Sequence, residues 1–383
     1  MRGRASVVPF VVLALALVRP ARLASDLPLT PYFGNLHAHS SFSDGSGTPD
    51  QAFAQARVHL DFLALTEHNH DQAERGAKDR TDGLLIATNP SLYPQIIASA
   101  DAHNADGQFV ALWGQEFSTI SKGNHANVLL APAVITRANG DYKGLYGELG
   151  GDTVVQWNHP WDADNAAINY GRNQFNGSYT KLRKASARVR LIEVINGPGT
   201  KNDTGLRASV NGEAFYREYL VRQFRLAPTA NQDNHYFTWG TLTDARTVVL
   251  ATALTRAALL ESVRALRVYA STDRNLKVTF AVNGVGMGGE VKTTSRDLTI
   301  TYSIEDPDEG QARYKVFVVT GHPKLTDSIV EATLDEPTGN RVATVPFTTL
   351  HNRAFVYLKI VQHPGKSTKD TVITAPVWIT VVQ

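Results

Sequence analysis

From Gly34 to about Ser271, short apolar runs alternate with stretches whose apolar residues recur at helical spacing. The runs predict strands over 34–39, 61–66, 109–113, 126–130, 153–157, 189–195, 226–231 and 247–251. The helical pattern covers 49–58, 90–103, 213–224 and 256–266. Strands and helices that take turns in this way predict an α/β fold. The first helix is the best marked: Thr48 can cap it, Pro49 takes the first helical position and Gln51 completes a capping box. After about Asn275 the period changes to two. Runs over 276–282, 298–303, 314–320, 329–333, 341–345, 354–361 and 377–382 alternate apolar and polar residues, with turn residues such as Asn283-Gly284 and Asp306-Pro307 between them. Seven short strands of that kind predict an antiparallel β-sandwich. The organisation read from the pattern is an α/β unit over 30–272 followed by an all-β unit over 275–383.

The start of the chain does not belong to either unit. Arg2 and Arg4 precede an apolar run from Val7 to Val18, and small residues follow at Ala21, Ala24 and Ser25, the arrangement of a secretory signal over 1–24. The run is too short to span a bilayer as a mature helix, so the expectation is a secreted or periplasmic protein with no stable membrane anchor after cleavage. This changes the charge. The 383-residue chain carries a formal +2, but residues 1–24 hold four arginines and no acid, which leaves −2 without them. Bulk charge therefore offers nothing that would gather nucleic acid. At 43% hydrophobic and 19% charged the remainder has the composition of a soluble globular protein.

There is no cysteine, which excludes disulfides, thiolate nucleophiles and cysteine-held metals together. Any metal must be held by histidine and carboxylate, and nine of the twelve histidines lie between 37 and 235. In a strand, residues i and i+2 point the same way, so His37 and His39 present two imidazoles to one point. Asp233 and His235 repeat the spacing. Between them stand Asp44, His68, Glu116, His125 and His159, each following or opening a strand-like run. Ligands at so many strand ends converge only when the strands surround a common axis with the site at their carboxyl ends. Six histidines and three carboxylates exceed what one ion uses; two or three divalent ions sharing a carboxylate would accommodate them, with Zn, Mn or Fe suited to the donor set.

The run His37-x-His39-Ser40-x-x-Ser43-Asp44-Gly45, then Thr66-Glu67-His68, Glu116, His125, Asn158-His159-Pro160 and Asp233-x-His235, resembles the PHP (polymerase and histidinol phosphatase) superfamily of metal-dependent hydrolases. The signal, the Asn-His-Ala-Asn-Val stretch at 124–128 and the segment at 267–270 before the sandwich look like its CehA/McbA-like branch. The resemblance implies a distorted (β/α)7 barrel, here followed by an immunoglobulin-like sandwich. It also implies a metal-bridging hydroxide as nucleophile. By position, one ion takes His37, His39, Glu116 and Asp233, a second Glu116, His125 and His159, and a third Asp44, His68 and His235. Glu67 departs from the family, which usually has Asp there.

The activity so implied is hydrolysis of a small phosphomonoester or phosphodiester, with a carbamate or carboxylic ester as the alternative and a non-catalytic binding protein as the reading from another class. Asp233 is a candidate for handling protons and His70 for a leaving-group acid, against a solvated loop histidine. Trp113, Trp157, Trp161 and Trp239 are candidates for an apolar substrate wall or for barrel packing. Glu193 is a candidate substrate contact or an ordinary strand terminus, and Arg172, Lys201 and Arg246 are candidate phosphate partners or solvated charges. His59, His103, His322, His351 and His363 show no convergent spacing.

Overall fold

The computed structural model describes residues 28–70, 83–85, 91–162, 169–325, 327–347, 352–362 and 370–382. The expected signal over 1–24, Pro90 at the expected start of the second helix, His351 and His363 lie outside them. The first strands are β1 (Thr30–Asn35), β2 (Phe62–His68), β3 (Val110–Phe117), β4 (Ala126–Leu129), β5 (Val154–Trp157), β6 (Val189–Ile195), β7 (Ala227–Ala230), β8 (Arg246–Ala251) and β9 (Val268–Ser271). The helices are α1 (Pro49–Ala56), α2 (Leu92–His103), α3 (Tyr142–Glu148), α4 (Tyr179–Ala185), α5 (Glu213–Val221) and α6 (Arg256–Arg264). At α1 the capping box forms as the sequence predicts, Thr48 accepting from Gln51 N and the Gln51 side chain accepting from Thr48 N.

Strands β1 to β7 are neighbours in chain order. All the pairs are parallel except those of β4, which runs antiparallel to β3 and β5. The other edge of β1 takes β8 antiparallel, and β8 takes β9. The row curls until its two ends meet: Ala38, beyond β1, bridges Asn234, beyond β7, and His39 N donates to Asn234 O at 2.8 Å. The closure lies at the carboxyl ends of both strands. Every residue of β2 and β5 is buried, because helices cover one side and the curled sheet itself the other. Phe62, Ala64, Val110 and Leu112 pack on one side, and Leu63, Leu65 and Ala111 on the opposite side. Each such Leu, Val or Phe side chain contributes about 1.5–3 kcal/mol by leaving water.

The remaining strands are β10 (Lys277–Val282), β11 (Val285–Gly286), β12 (Glu290–Thr293), β13 (Asp297–Glu305), β14 (Arg313–Gly321), β15 (Ile329–Pro337), β16 (Gly339–Pro346), β17 (Arg353–Gln362), β18 (Thr371–Thr374) and β19 (Val377–Val381). Four form an antiparallel sheet in the order β11-β10-β13-β16. The other six join β9 through β18 and so extend the sheet of β1–β9. Two expectations change. The region is not antiparallel throughout, since β12 and β19 pair in parallel, which the long connection between them allows. It also has more strands than seven, because β11, β12 and β18 have two to four residues, too few for a period to register. The interior of the curled sheet merges with the core of this second region. Tyr269 joins the two, donating to Leu276 O at 2.8 Å and accepting from Val278 N at 3.2 Å. Gly288, at φ +79°, passes so close that a Cβ would stand 1.8 Å from Ala265 O. Among the described residues no helix is long and apolar enough to cross a membrane.

Candidate metal centre

The carboxyl ends of the curled strands bring nine side chains together. His37 and His39 stand just past β1, on the same side as their spacing requires. His68 ends β2, and the β2–β3 register sets it directly beside Glu116. His125 opens β4, His159 follows β5, and Asp233 and His235 follow β7. Asp44 comes in on a turn that Gly45 N and Ser43 N close by donating to Ser40 O at 3.0 and 3.2 Å. They are the nine candidate donors of the sequence, four from i, i+2 spacing and five from their place beside strand-like runs. They form four overlapping groups: His37, His39 and Asp233; His37, Glu116 and His159; His68, Glu116 and His125; and His39, Asp44, His68 and His235.

Glu116 is at the centre and fully buried. Its Oε1 lies 3.0 Å from His37 Nε2, 3.0 Å from His125 Nδ1 and 3.5 Å from His159 Nε2. Its Oε2 lies 2.9 Å from His68 Nδ1 and 3.4 Å from His39 Nε2. Asp233 Oδ1 faces His37 Nε2 at 3.1 Å and His39 Nε2 at 3.2 Å. Asp44 Oδ1 faces His235 Nε2 at 3.1 Å and His68 Nε2 at 3.4 Å. The backbone is strained where two of these groups are delivered, at His159 with φ +24° and Asp233 with φ +50°.

The electrostatics demand positive charge. Burial works against the charged form of Glu116, yet His125, His37 and His68 hold its carboxyl well below the usual range. Asp44 and Asp233 are lowered in the same way by their imidazole neighbours. For His37 and His68, burial depresses the ring, but the facing carboxylates outweigh it and raise both. His39 and His125 go the other way, pushed down by burial to about 3 and about 4. Four buried atoms, His37 Nε2, His39 Nε2, His68 Nδ1 and Glu116 Oε2, converge without a hydrogen bond of acceptable geometry. Donors about 2.0–2.2 Å from a common ion stand roughly 3–3.5 Å apart, the spacing found here. Imidazole and carboxylate donors at these separations fit divalent cations, with Glu116 able to serve more than one.

Behind the donors lies a ring of buried polar groups that spacing did not reveal. Asn158 Nδ2 donates to Glu116 Oε1 at 2.6 Å. Glu67, with burial pushing its carboxyl up to about 7, accepts from Ser40 N at 2.9 Å, Ser40 Oγ and Ser43 Oγ. Ser43 Oγ in turn lies 3.3 Å from His39 Nδ1. His235 Nδ1 donates to Asp233 O at 2.7 Å. The one available signal was a polar residue inside an otherwise apolar strand, such as Gln156 between Val155 and Trp157.

The other candidates divide. His70 is outside the four groups and packs edge-on against Phe117, ring centroids 5.2 Å apart. Trp157 is core, stacked on Tyr170 at 4.4 Å, and Trp113 lies under Arg256 with Nε1 on Ala131 O. Trp239 is buried and donates to His39 O at 3.1 Å. Trp161 alone of the four has its ring beside a cluster histidine, 6.5 Å from His159. Arg246 spends its guanidinium on the carbonyls of Thr243, Ala245 and Gly240, and Arg172 stacks on Tyr179 at 4.4 Å. Lys201 is exposed on the loop whose Gly199 abuts Asp233. Glu193 is fully buried, both oxygens already accepting hydrogen bonds, so it does not reach substrate.

No family model matches this chain, and no curated protein matches it. Among solved structures it is similar to a two-domain protein containing a predicted PHP-like metal-dependent phosphoesterase from Bacteroides vulgatus ATCC 8482, at 16% identity over 92% of this chain and 97% of that one, with a TM-score of 0.48.

Proposed function

We propose that the protein is a secreted or periplasmic metal-dependent hydrolase of the PHP type, acting on a small phosphomonoester or phosphodiester. The observation that carries the reading is Glu116, with five imidazoles within 3.5 Å of its two oxygens. In this reading β1–β7 are the strands of a distorted (β/α)7 barrel and the region after 275 an immunoglobulin-like sandwich. His37, His39, Glu116 and Asp233 would hold one ion, Glu116, His125 and His159 a second, and Asp44, His68 and His235 a third. Bound divalent ions supply Lewis acidity and a water acidic enough to attack at neutral pH. The chain's own part is to keep the donors dry and correctly turned. Asn158 and Glu67 fix Glu116 and the Ser43–His39 contact. Asp233 is the most accessible carboxylate of the nine, its side chain 21% exposed, and in this reading it takes a proton from an incoming water or passes one to a leaving group.

A second reading, hydrolysis of an aryl carbamate or carboxylic ester, is favoured by the aromatic groups near the cluster. Trp161 lies beside His159, and Phe237, two residues past His235, is 50% exposed. Purified protein reconstituted with Zn, Mn or Fe, assayed on p-nitrophenyl phosphate, its phosphodiester analogue, p-nitrophenyl acetate and a naphthyl carbamate, separates the two. Turnover of the phosphate esters is expected; turnover confined to the carbonyl substrates would overturn the first reading.

A further inference from the structure

We propose that Glu193 is a positioning residue that sets the ring of His37 and the backbone of His159, and so ties two ion positions around Glu116 to the end of β6. The proposal rests on the reading of the cluster as a metal centre. Glu193 belongs to none of the four donor groups. Its Oε1 accepts from His37 Nδ1 at 2.9 Å, Asn231 Nδ2 at 2.8 Å and Gln156 Nε2 at 3.3 Å. Its Oε2 accepts from His159 N at 2.8 Å and Asn196 Nδ2 at 2.6 Å. All five neighbours are N–H groups, and a carboxylate used only as an acceptor satisfies them all.

Two consequences follow for the donors. An imidazole that holds an ion through one nitrogen is neutral and carries its one N–H on the other, and the carboxylate at Nδ1 keeps it there. The lone pair of His37 Nε2 is thereby aimed between Glu116 and Asp233, 3.0 and 3.1 Å away. His159 is held differently. Its φ of +24° is uncommon for a residue with a side chain, and the hydrogen bond from its amide to Glu193 Oε2 stabilises that turn, leaving Nε2 3.5 Å from Glu116 Oε1. One buried carboxylate thus turns one imidazole by its ring and a second by its backbone, both of them facing Oε1 of the shared Glu116.

Glu193→Gln keeps the shape but sets an amide N–H₂ against N–H donors. Its affinity for zinc should fall by about 10–100-fold, the usual cost of losing a partner behind a ligand, read by chelator competition with plasma emission spectrometry. Melting followed by circular dichroism checks that the variant is folded. In a His37→Ala background the same substitution should cost less, because the ring it orients is gone and only the contact to the His159 amide remains. Equal costs in both backgrounds would mean that Glu193 only holds the strand end together, and would overturn the proposal. Two-bond ¹H–¹⁵N spectra of the zinc-loaded wild type, with the His37 signals identified by their loss in His37→Ala, should show the hydrogen on Nδ1; a hydrogen on Nε2 in that state would overturn it even if Glu193→Gln failed to fold. A wild type that takes up no ion sinks the metal-centre reading and this one with it, whereas a folded Glu193→Gln with wild-type affinity sinks this one alone.

Discussion

The two halves of the molecule use the same element, a short β-strand, and treat its polar residues in opposite ways. In β13 the burial alternates residue by residue, so Thr299, Thr301 and Glu305 face water while Leu298, Ile300 and Tyr302 fill the core. In β2 all seven residues are buried, and Thr66, Glu67 and His68 are buried among them. A strand with one wet face places its polar side chains at no cost. A strand covered on both sides must give each polar group a partner, since burying it unpaired costs roughly 1–3 kcal/mol. The ion pairs follow the same division. Lys277–Glu305 at 2.7 Å is half exposed and contributes about 0–1 kcal/mol, whereas the contacts around Glu116 are fully enclosed. In β2 the buried polar residues therefore include a donor of the cluster, whereas in β13 the polar residues mark the side that faces solvent.

The sharpest way to break this contrast is Glu116→Gln. It should remove more than one ion per chain and lower turnover by more than the ~10–100-fold that loss of a partner behind a ligand costs. Unchanged metal content by plasma emission spectrometry would sink the sharing of Glu116 between ions. A pair of glycines sharpens it next. A Cβ on Gly199 would meet Asp233 O at 1.9 Å, and one on Gly288 would meet Ala265 O at 1.8 Å. Gly199→Ala should weaken ion binding at least ~10-fold with a small change in melting, by displacing Asp233. Gly288→Ala should instead lower stability by about 1–3 kcal/mol and leave ion binding intact. Similar effects of the two on both readouts would mean that site and junction are not separate.

A smaller effect concerns pH. Burial first, then Asp273 nearby, pushes the Asp370 carboxyl from an ordinary 3.8 up to about 6. A carboxyl whose pKa is higher in the folded state stabilises the fold below 3.8, and that contribution is lost as pH rises through about 6. Asp370→Asn should thus raise stability at pH 7–8 by about 1 kcal/mol, allowing for solvent screening, with the gain vanishing near pH 4. Denaturant titrations at the two pH values check it, and a gain that persisted at pH 4 would exclude the cause. Last comes His322→Ala, in the second half, where Nδ1 accepts a long contact from Lys324 N at 3.3 Å. Turnover should stay within about twofold of wild type; a large loss would mean that the second half reaches the site.

The pattern of the chain already separates the two halves, because period two and two-sided burial leave different marks on neighbouring residues. It likewise singles out the donors: His37-x-His39 and Asp233-x-His235 each share a strand face, and a face shared at i and i+2 is a local property. The absence of cysteine reduces the donor types to histidine and carboxylate before any contact is known. None of this says who meets whom across the fold. Glu193 and Arg246 were open between functional and ordinary roles, and only the packing shows one saturated by donors from three strand ends and the other spent on loop carbonyls. Trp157 and Trp239 looked alike until one proved to be core and the other a support for His39. Local periodicity is set by neighbours along the chain, so the sequence alone determined the longer strands and the donor types; which atoms converge is set by strand register and curvature, through residues more than a hundred positions apart, and only the tertiary structure decided it.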